Sequence, residues 1–213
     1  MNKPISLEAL DLAALLCSRL CHDVISPVGA IVNGLEVLED ERDEGMKQVA
    51  MDLVRKSAKQ ATARLQFARL AFGAAGSVGA QIDLGDAESV ARGLLNDERT
   101  TIEWKLPRVL LPKNRVKLLL NLLIIANSII PRGGRIEVAP VGEGDSMGFR
   151  LTAQGPNARV PAAVPGLIAG TPAEGIDAHG IQPYYTGLVA NAAGLSIAIA
   201  SEGDSVVISA AKA

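Results

Sequence analysis

A chain of 213 residues and 22.2 kDa has room for one large domain or two small ones. Apolar residues make up 48% and charged residues 21%, which supplies a packed core and excludes a wholly disordered chain. With 3% aromatics and a net charge of −2, the chain offers neither a platform for stacked bases nor a bulk attraction to nucleic acid or an anionic membrane. Two cysteines exclude a disulfide framework and fit a reducing compartment.

The N-terminal stretch meets acids and an arginine before any long apolar run develops, so no export signal is expected. Leu118–Ile130 reads as the most apolar segment. It is interrupted by Asn121, Asn127 and Ser128 and falls short of the ~20 residues that span a bilayer. A cytoplasmic protein with no membrane contact is the expectation.

From Ser6 to about Phe72 the pattern is helical. Ser6 is a candidate N-cap. Leu10, Cys17, Val24, Ile31 and Leu38 repeat at heptad spacing, and Ala13, Leu20, Pro27 and Gly34 form a second row beside them. The run Glu39–Glu44 breaks the pattern, and a second helix follows from Met46 to Phe72. The segment up to Glu44 carries nine acids against three bases, and Gly45–Phe72 carries six bases against one acid. Opposite charge favours antiparallel neighbours, although each exposed pair is worth only ~0–1 kcal/mol. A lone hairpin cannot cover so wide an apolar seam, so the expected remedy is a homodimer with an intermolecular four-helix bundle.

The small-residue stretch Gly73–Gly79 reads as a linker. After it, helices are predicted over Asp86–Glu98, Val116–Ile130 and Pro183–Ala193. Strands are predicted over Thr100–Leu106, Arg135–Val141, Met147–Ala153, Leu195–Ser201 and Ser205–Ala210. Gly155–Gly175 reads as a long irregular segment. The expected organisation is a helical hairpin over residues 1–76 and an α+β sandwich over 80–213, with three helices on one face of a mixed sheet.

Only His22 and His179 carry imidazoles. His22 lies in Leu20-Cys21-His22-Asp23-Val24-Ile25-Ser26-Pro27 and points away from the seam. Asp23 is placed to orient the ring or take its proton, and Pro27 removes a helical hydrogen bond at a cost of ~3 kcal/mol in a helix interior. Ile25 and Val32 are apolar on a face that should be polar, which marks a docking surface. Small residues at Ser26, Gly29 and Ala30 permit close approach. Cys17 and Cys21 fall on or beside the seam while His22 faces outward, so the three cannot converge on a metal, and buried thiols are expected. His179 reads as a lid or surface residue of a loop. Tyr184 and Tyr185 read as packing for a helix start, and Trp104 as partly buried.

The box His22-Asp23-Val24-Ile25-Ser26-Pro27 resembles the phosphoacceptor box of two-component sensor histidine kinases. Asn121 through Val138 is similar to that superfamily's first nucleotide-binding box and the strand after it. On that resemblance Ile124 and Ile125 stand where an Asp-Asn pair would hold magnesium, and Ser128 replaces a phosphate-binding base. Ala153 replaces the carboxylate that reads adenine, and Gly180-Ile181-Gln182-Pro183 is a reduced phosphate loop. Apolar side chains cannot coordinate a hard cation, and Pro183 has no N–H for a phosphate.

A histidine box beside a degenerate ATPase-like domain resembles the alphaproteobacterial histidine phosphotransferase ChpT family. The resemblance implies a dimeric phosphotransferase that uses neither ATP nor a cofactor of its own, with Mg2+ supplied by the partner. It would carry phosphoryl groups from the receiver domain of a hybrid kinase to response regulators of the cell cycle. His22 would be the acceptor, with Asp23 and Ser26 assisting. Ile25, Val28, Gly29, Val32 and Asn33 would meet the receiver, with Arg64 and Arg69 from the second helix. An ATP-dependent sensor kinase and a non-catalytic adaptor that grips response regulators remain the competing readings. Binding of Mg-ATP separates the first, and receiver binding indifferent to His22 separates the second.

Overall fold

The computed structural model describes residues 5–73 and 79–212, apart from the side chain of Asp145. Residues 74–78, the middle of the expected linker and the site of the expected domain boundary, lie outside the described residues.

Two long antiparallel helices, α1 (Ala9–Asp40) and α2 (Glu44–Ala71), form the N-terminal hairpin. Ser6 does not cap α1: the helix begins after Glu8, with no side-chain cap. By contrast, α2 is capped by Asp43, whose Oδ1 accepts from the Met46 N–H at 2.9 Å. The two helices approach closely at Gly34, where an added Cβ would meet Val54 Cγ2 at 2.6 Å. Pro27 and Gly34 are the buried residues of α1.

The remainder is built on a five-stranded mixed sheet. Its strands are β2 (Thr100–Trp104), β4 (Gly134–Val141), β5 (Gly148–Gln154), β6 (Ser196–Glu202) and β7 (Ser205–Ala211), in the order β2-β4-β5-β7-β6. The β2–β4 pairing is parallel and the rest are antiparallel. Ile136, Val138, Phe149, Leu151 and Ile208 fill one face of the sheet. The other face carries ion pairs such as Lys105–Glu137 and Arg135–Glu103. The alternation of the strand sequences is therefore a one-sided sheet.

Helices α3 (Leu84–Leu95), α4 (Lys113–Ile129) and α6 (Ile181–Ala193) cover the apolar face. The apolar run after Leu118 is the core helix α4, with Leu118, Leu119, Leu122, Leu123 and Ile129 fully buried. After α4 the chain turns into β4 through Gly133 and Gly134, at φ 85° and 148°, where it passes against the backbone of Arg99 and Gln154.

Two features of the α+β half depart from the sequence expectation. A two-stranded antiparallel ribbon, β1 (Gln81–Asp83) with β3 (Leu110–Pro112), is present, and each strand is too short to show a period. The segment expected to be irregular contains a helix, α5 (Ala163–Ile168), which buries Val164 and Leu167.

The hairpin is fastened to the α+β half at both ends. Leu12, Leu15 and Leu16 of α1 pack on Leu167, Ile181 and Tyr184. The Tyr184 hydroxyl accepts from the Leu7 N–H at 3.2 Å and donates to the Ile5 carbonyl at 3.1 Å. At the other end Asn121, fully buried on α4, donates Nδ2–H to the carbonyls of Ala71 (3.1 Å) and Lys117 (2.9 Å).

Gln182 completes this buried network. Its Nε2 donates toward the Asn121 carbonyl (3.0 Å), Asn121 Oδ1 (3.1 Å) and Thr186 Oγ1 (3.0 Å). Gln182→Ala strips Asn121 and Thr186 of a donor in the core. It is expected to lower the unfolding free energy by about 2–4 kcal/mol, read as a shifted urea midpoint with an unchanged slope.

Candidate functional site

His22 stands exposed on α1, as its register requires. Ile25, Ser26, Gly29, Val32 and Asn33 share its face at spacings of three, four, seven, ten and eleven residues, with Val28 at the edge. Ile25 is 68% exposed, Val32 is 48% exposed, and a Cβ added at Gly29 would meet nothing within 4 Å. The expected docking residues of α1 therefore form one open surface headed by the imidazole.

Asp23 does not hold that imidazole. Adjacent helical residues do not face each other, and the Asp23 carboxylate accepts from Arg19 Nε at 3.0 Å, one turn earlier. The backbone of Asp23 has the larger role. Pro27 has no N–H to offer the carbonyl four residues before it, and that carbonyl belongs to Asp23. Arg64 of α2 fills the gap by donating Nη1–H to the Asp23 oxygen. The helix runs unbroken through Pro27, and the opposite helix satisfies the group that Pro27 orphans. Arg64 Nε is buried with no partner among the described residues, so this guanidinium is committed to the hairpin interior.

Arg64 was expected to face a docked receiver; it is instead a strut between the two helices. Arg69 is exposed in the last turn of α2 and lines a separate groove with Gln81, Asp83 and Asp86.

His179 is the residue that the sequence left out of the site. Its ring lies 6.1 Å from that of His22, centroid to centroid, at an interplanar angle of 31°. It belongs to the loop entering α6. Asp177 pins this loop by accepting at Oδ1 from the N–H groups of Gly180 (2.7 Å) and His179 (2.9 Å). Those bonds, the Gly180 one foremost, hold the Asp177 carboxyl below the usual carboxylate range. With its folded value depressed, this anchor is in force above the ordinary carboxylate range and is lost only as pH falls through the lower folded value. No helical or strand period marks residues 177–180, so only the tertiary packing of α6 on α1 reveals the pairing.

Beside the two rings opens a cleft of about 710 Å³, lined by Ile124, Ile125, Ser128, Val164, Leu167 and Gln182, with Arg19 and His179 on its wall. Ile124, Ile125 and Ser128, the positions where the sequence resemblance led metal and phosphate ligands to be expected, are gathered in this one cavity. The Ser128 hydroxyl donates to the Ile125 carbonyl at 2.7 Å. Pro183 sits in the first turn of α6, where no helical N–H is needed. Ala153 is buried in β5, away from the cleft wall.

Cys17 and Cys21 are both exposed, contrary to the expected burial. Although Pro27 and Gly34 in the seam's second row are buried, this part of the apolar seam is exposed in the single chain. The same holds for Leu10 (84% exposed) and, on α2, Val49 (63%). By length and composition α1, rather than the segment after Leu118, is the helix apolar enough to cross a membrane, and almost none of its apolar window is buried. Among the described residues no group of three or more His, Cys, Asp or Glu side chains could hold a metal.

The pairing of Pro27 with Arg64 is testable by a double-mutant cycle. Arg64→Met should destabilise the chain by about 1–3 kcal/mol, because the Asp23 carbonyl is then buried and unmet. In a Pro27→Ala background, where residue 27 regains its N–H, the same change should cost about 1 kcal/mol less, measured by urea unfolding of all four proteins.

Residues 84–205 match the family described as histidine phosphotransferase C-terminal domain. Protein phosphotransferase ChpT of Brucella abortus (strain 2308) is 53% identical over 211 residues, which span 99% of this chain and 100% of the relative. A solved structure of a bacterial phosphotransferase, 52% identical, superposes with a TM-score of 0.89 over 97% of this chain and 98% of that one.

Proposed function

The chain belongs to the histidine phosphotransferase family, and on that footing we propose that it relays phosphoryl groups through His22. The source would be the receiver domain of a hybrid kinase, and the recipients the receivers of response regulators. The observation that carries this reading is one exposed imidazole at the head of an open, apolar helix face, on a turn braced from below by Arg64.

An imidazole nitrogen is a nucleophile near neutral pH. Its lone pair attacks the phosphorus of a phospho-aspartate on the docked receiver. The N–P bond forms as the P–O bond breaks, and the electron pair leaves on the receiver's carboxylate. The remote ring nitrogen keeps its hydrogen, and the product ring carries a positive charge that is lost again when the phosphoryl group leaves. Ser26, one turn beyond His22 and exposed, offers its hydroxyl to a phosphoryl oxygen. Transfer to the next receiver runs the same steps backward. Magnesium enters with the receiver.

The degenerate, ATPase-like second domain serves in this reading as a shaped wall and not as a nucleotide site. The cleft presents Ile124, Ile125 and a back-bonded Ser128 where a nucleotide would need oxygen ligands and a cation. No heat of binding is expected when Mg-ATP is titrated into the protein. The uncovered seam through Leu10, Cys17, Cys21, Val49 and Leu53 is assigned to a second copy in a four-helix bundle, in a cytoplasmic homodimer. Light scattering should return twice the 22.2 kDa chain mass.

The decisive variant is His22→Ala. Its side chain is exposed, so stability should stay within about 0.5 kcal/mol of the parent. Incubated with a phosphorylated receiver, the parent should take up an acid-labile phosphoryl group, and the variant should lose that labelling by on the order of 100-fold or more. Undiminished labelling of the variant would refute the assignment.

A further inference from the structure

We infer that His179 is a catalytic residue contributed by the second domain, donating a ring N–H to an oxygen of the phosphoryl group as it joins and leaves His22. This deepens the reading of His22 as acceptor and rests on it.

The geometry points there first. At 6.1 Å between centroids and 31° between planes, the two rings are neighbours without being stacked in contact. A phosphoryl group standing on His22 brings its oxygens within hydrogen-bond reach of the facing ring.

The chemistry of the neighbours leaves the role vacant. An incoming phosphoryl group carries negative charge on its oxygens and needs donors fixed before it arrives. The two guanidinium groups that bond the His22 turn are directed to Asp23: Arg19 Nε–H to its carboxylate and Arg64 Nη1–H to its carbonyl. The His179 ring makes no hydrogen bond among the described residues; its backbone N–H is taken by Asp177, whose carboxylate also acts on the ring electrostatically.

The loop is built to hold that ring in place. Asp177 Oδ1 takes two successive N–H groups, and the Asp177 carbonyl accepts from the Ile181 N–H at 2.9 Å as α6 begins. Gly180 fits tightly, since an added Cβ would meet Leu167 Cδ2 at 3.3 Å. One turn into α6, Tyr184 bonds the segment that leads into α1. Both histidines are thus indexed to one contact between the domains, and a loop residue is carried to His22 by the packing of α6 on α1.

The test loads the full-length protein with phosphoramidate, a small donor that phosphorylates imidazole directly. The donor's N–P bond breaks, ammonia leaves, and the new N–P bond forms on the ring. Initial loading rates are measured at saturating donor for the parent, His179→Ala, His179→Gln and His22→Ala, with thermal midpoints recorded alongside. The expected result is a fall of tenfold or more for His179→Ala at unchanged midpoint, and recovery to within about threefold of the parent for His179→Gln, whose amide restores an N–H.

Equal rates for the parent and His179→Ala, with His22→Ala inert, would overturn this inference and leave the acceptor assignment standing. A loss in His179→Ala that His179→Gln does not recover would contradict donation by an N–H. Persistent labelling of His22→Ala would overturn the acceptor assignment and this inference with it.

Discussion

One backbone oxygen organises the turn that carries His22. Pro27 leaves the Asp23 carbonyl without a helical donor, and burying it unmet would cost about 1–3 kcal/mol. Arg64 meets it from the neighbouring helix, and that bond crosses the hairpin immediately beneath His22. The Asp23 carboxylate is turned aside to Arg19, and His22 is left free on the outer face. A residue type usually harmful in mid-helix thus couples the His22 turn to the interior of the hairpin.

The second constraint is where the hairpin sits on the α+β half. Leu12, Leu15 and Leu16 dock on Leu167, Ile181 and Tyr184, and the Tyr184 hydroxyl bonds on both sides to the chain entering α1. Deep in the core, Asn121, Gln182 and Thr186 form a satisfied polar network linking α4, α6 and the end of α2. Asn121 is fully buried and its amide is taken up by internal struts. The same framework positions the loop that carries His179.

Much of this was legible from residue order. The heptad rows announced two long helices, and the alternation in Ile136, Val138, Phe149 and Leu151 announced a one-sided sheet. His22 stood out through Pro27 and through apolar neighbours where polar ones belonged. What escaped had physical reasons. Three-residue strands such as Gln81–Asp83 are too short for a period to register. The helix Ala163–Ile168 hid in a stretch rich in proline and alanine. Cys17 and Cys21 lie on a core-like stripe that is exposed at both positions in the single chain. Arg64 looked like a surface base because nothing in sequence tells which donor, 41 residues from Asp23, will meet the carbonyl that Pro27 orphans. His179 escaped for the same reason: its meaning is a distance across the fold.

The most direct measurement is chemical identification of the bond. The protein is exchanged with a phosphorylated receiver, digested with trypsin, and the linkage on the peptide Leu20–Arg42 read by phosphorus NMR and mass spectrometry. The account predicts a phosphoramidate on the peptide's one imidazole, stable in base and cleaved in acid. A phosphoryl group found on a carboxylate, on a hydroxyl, or on a peptide outside this stretch would contradict it.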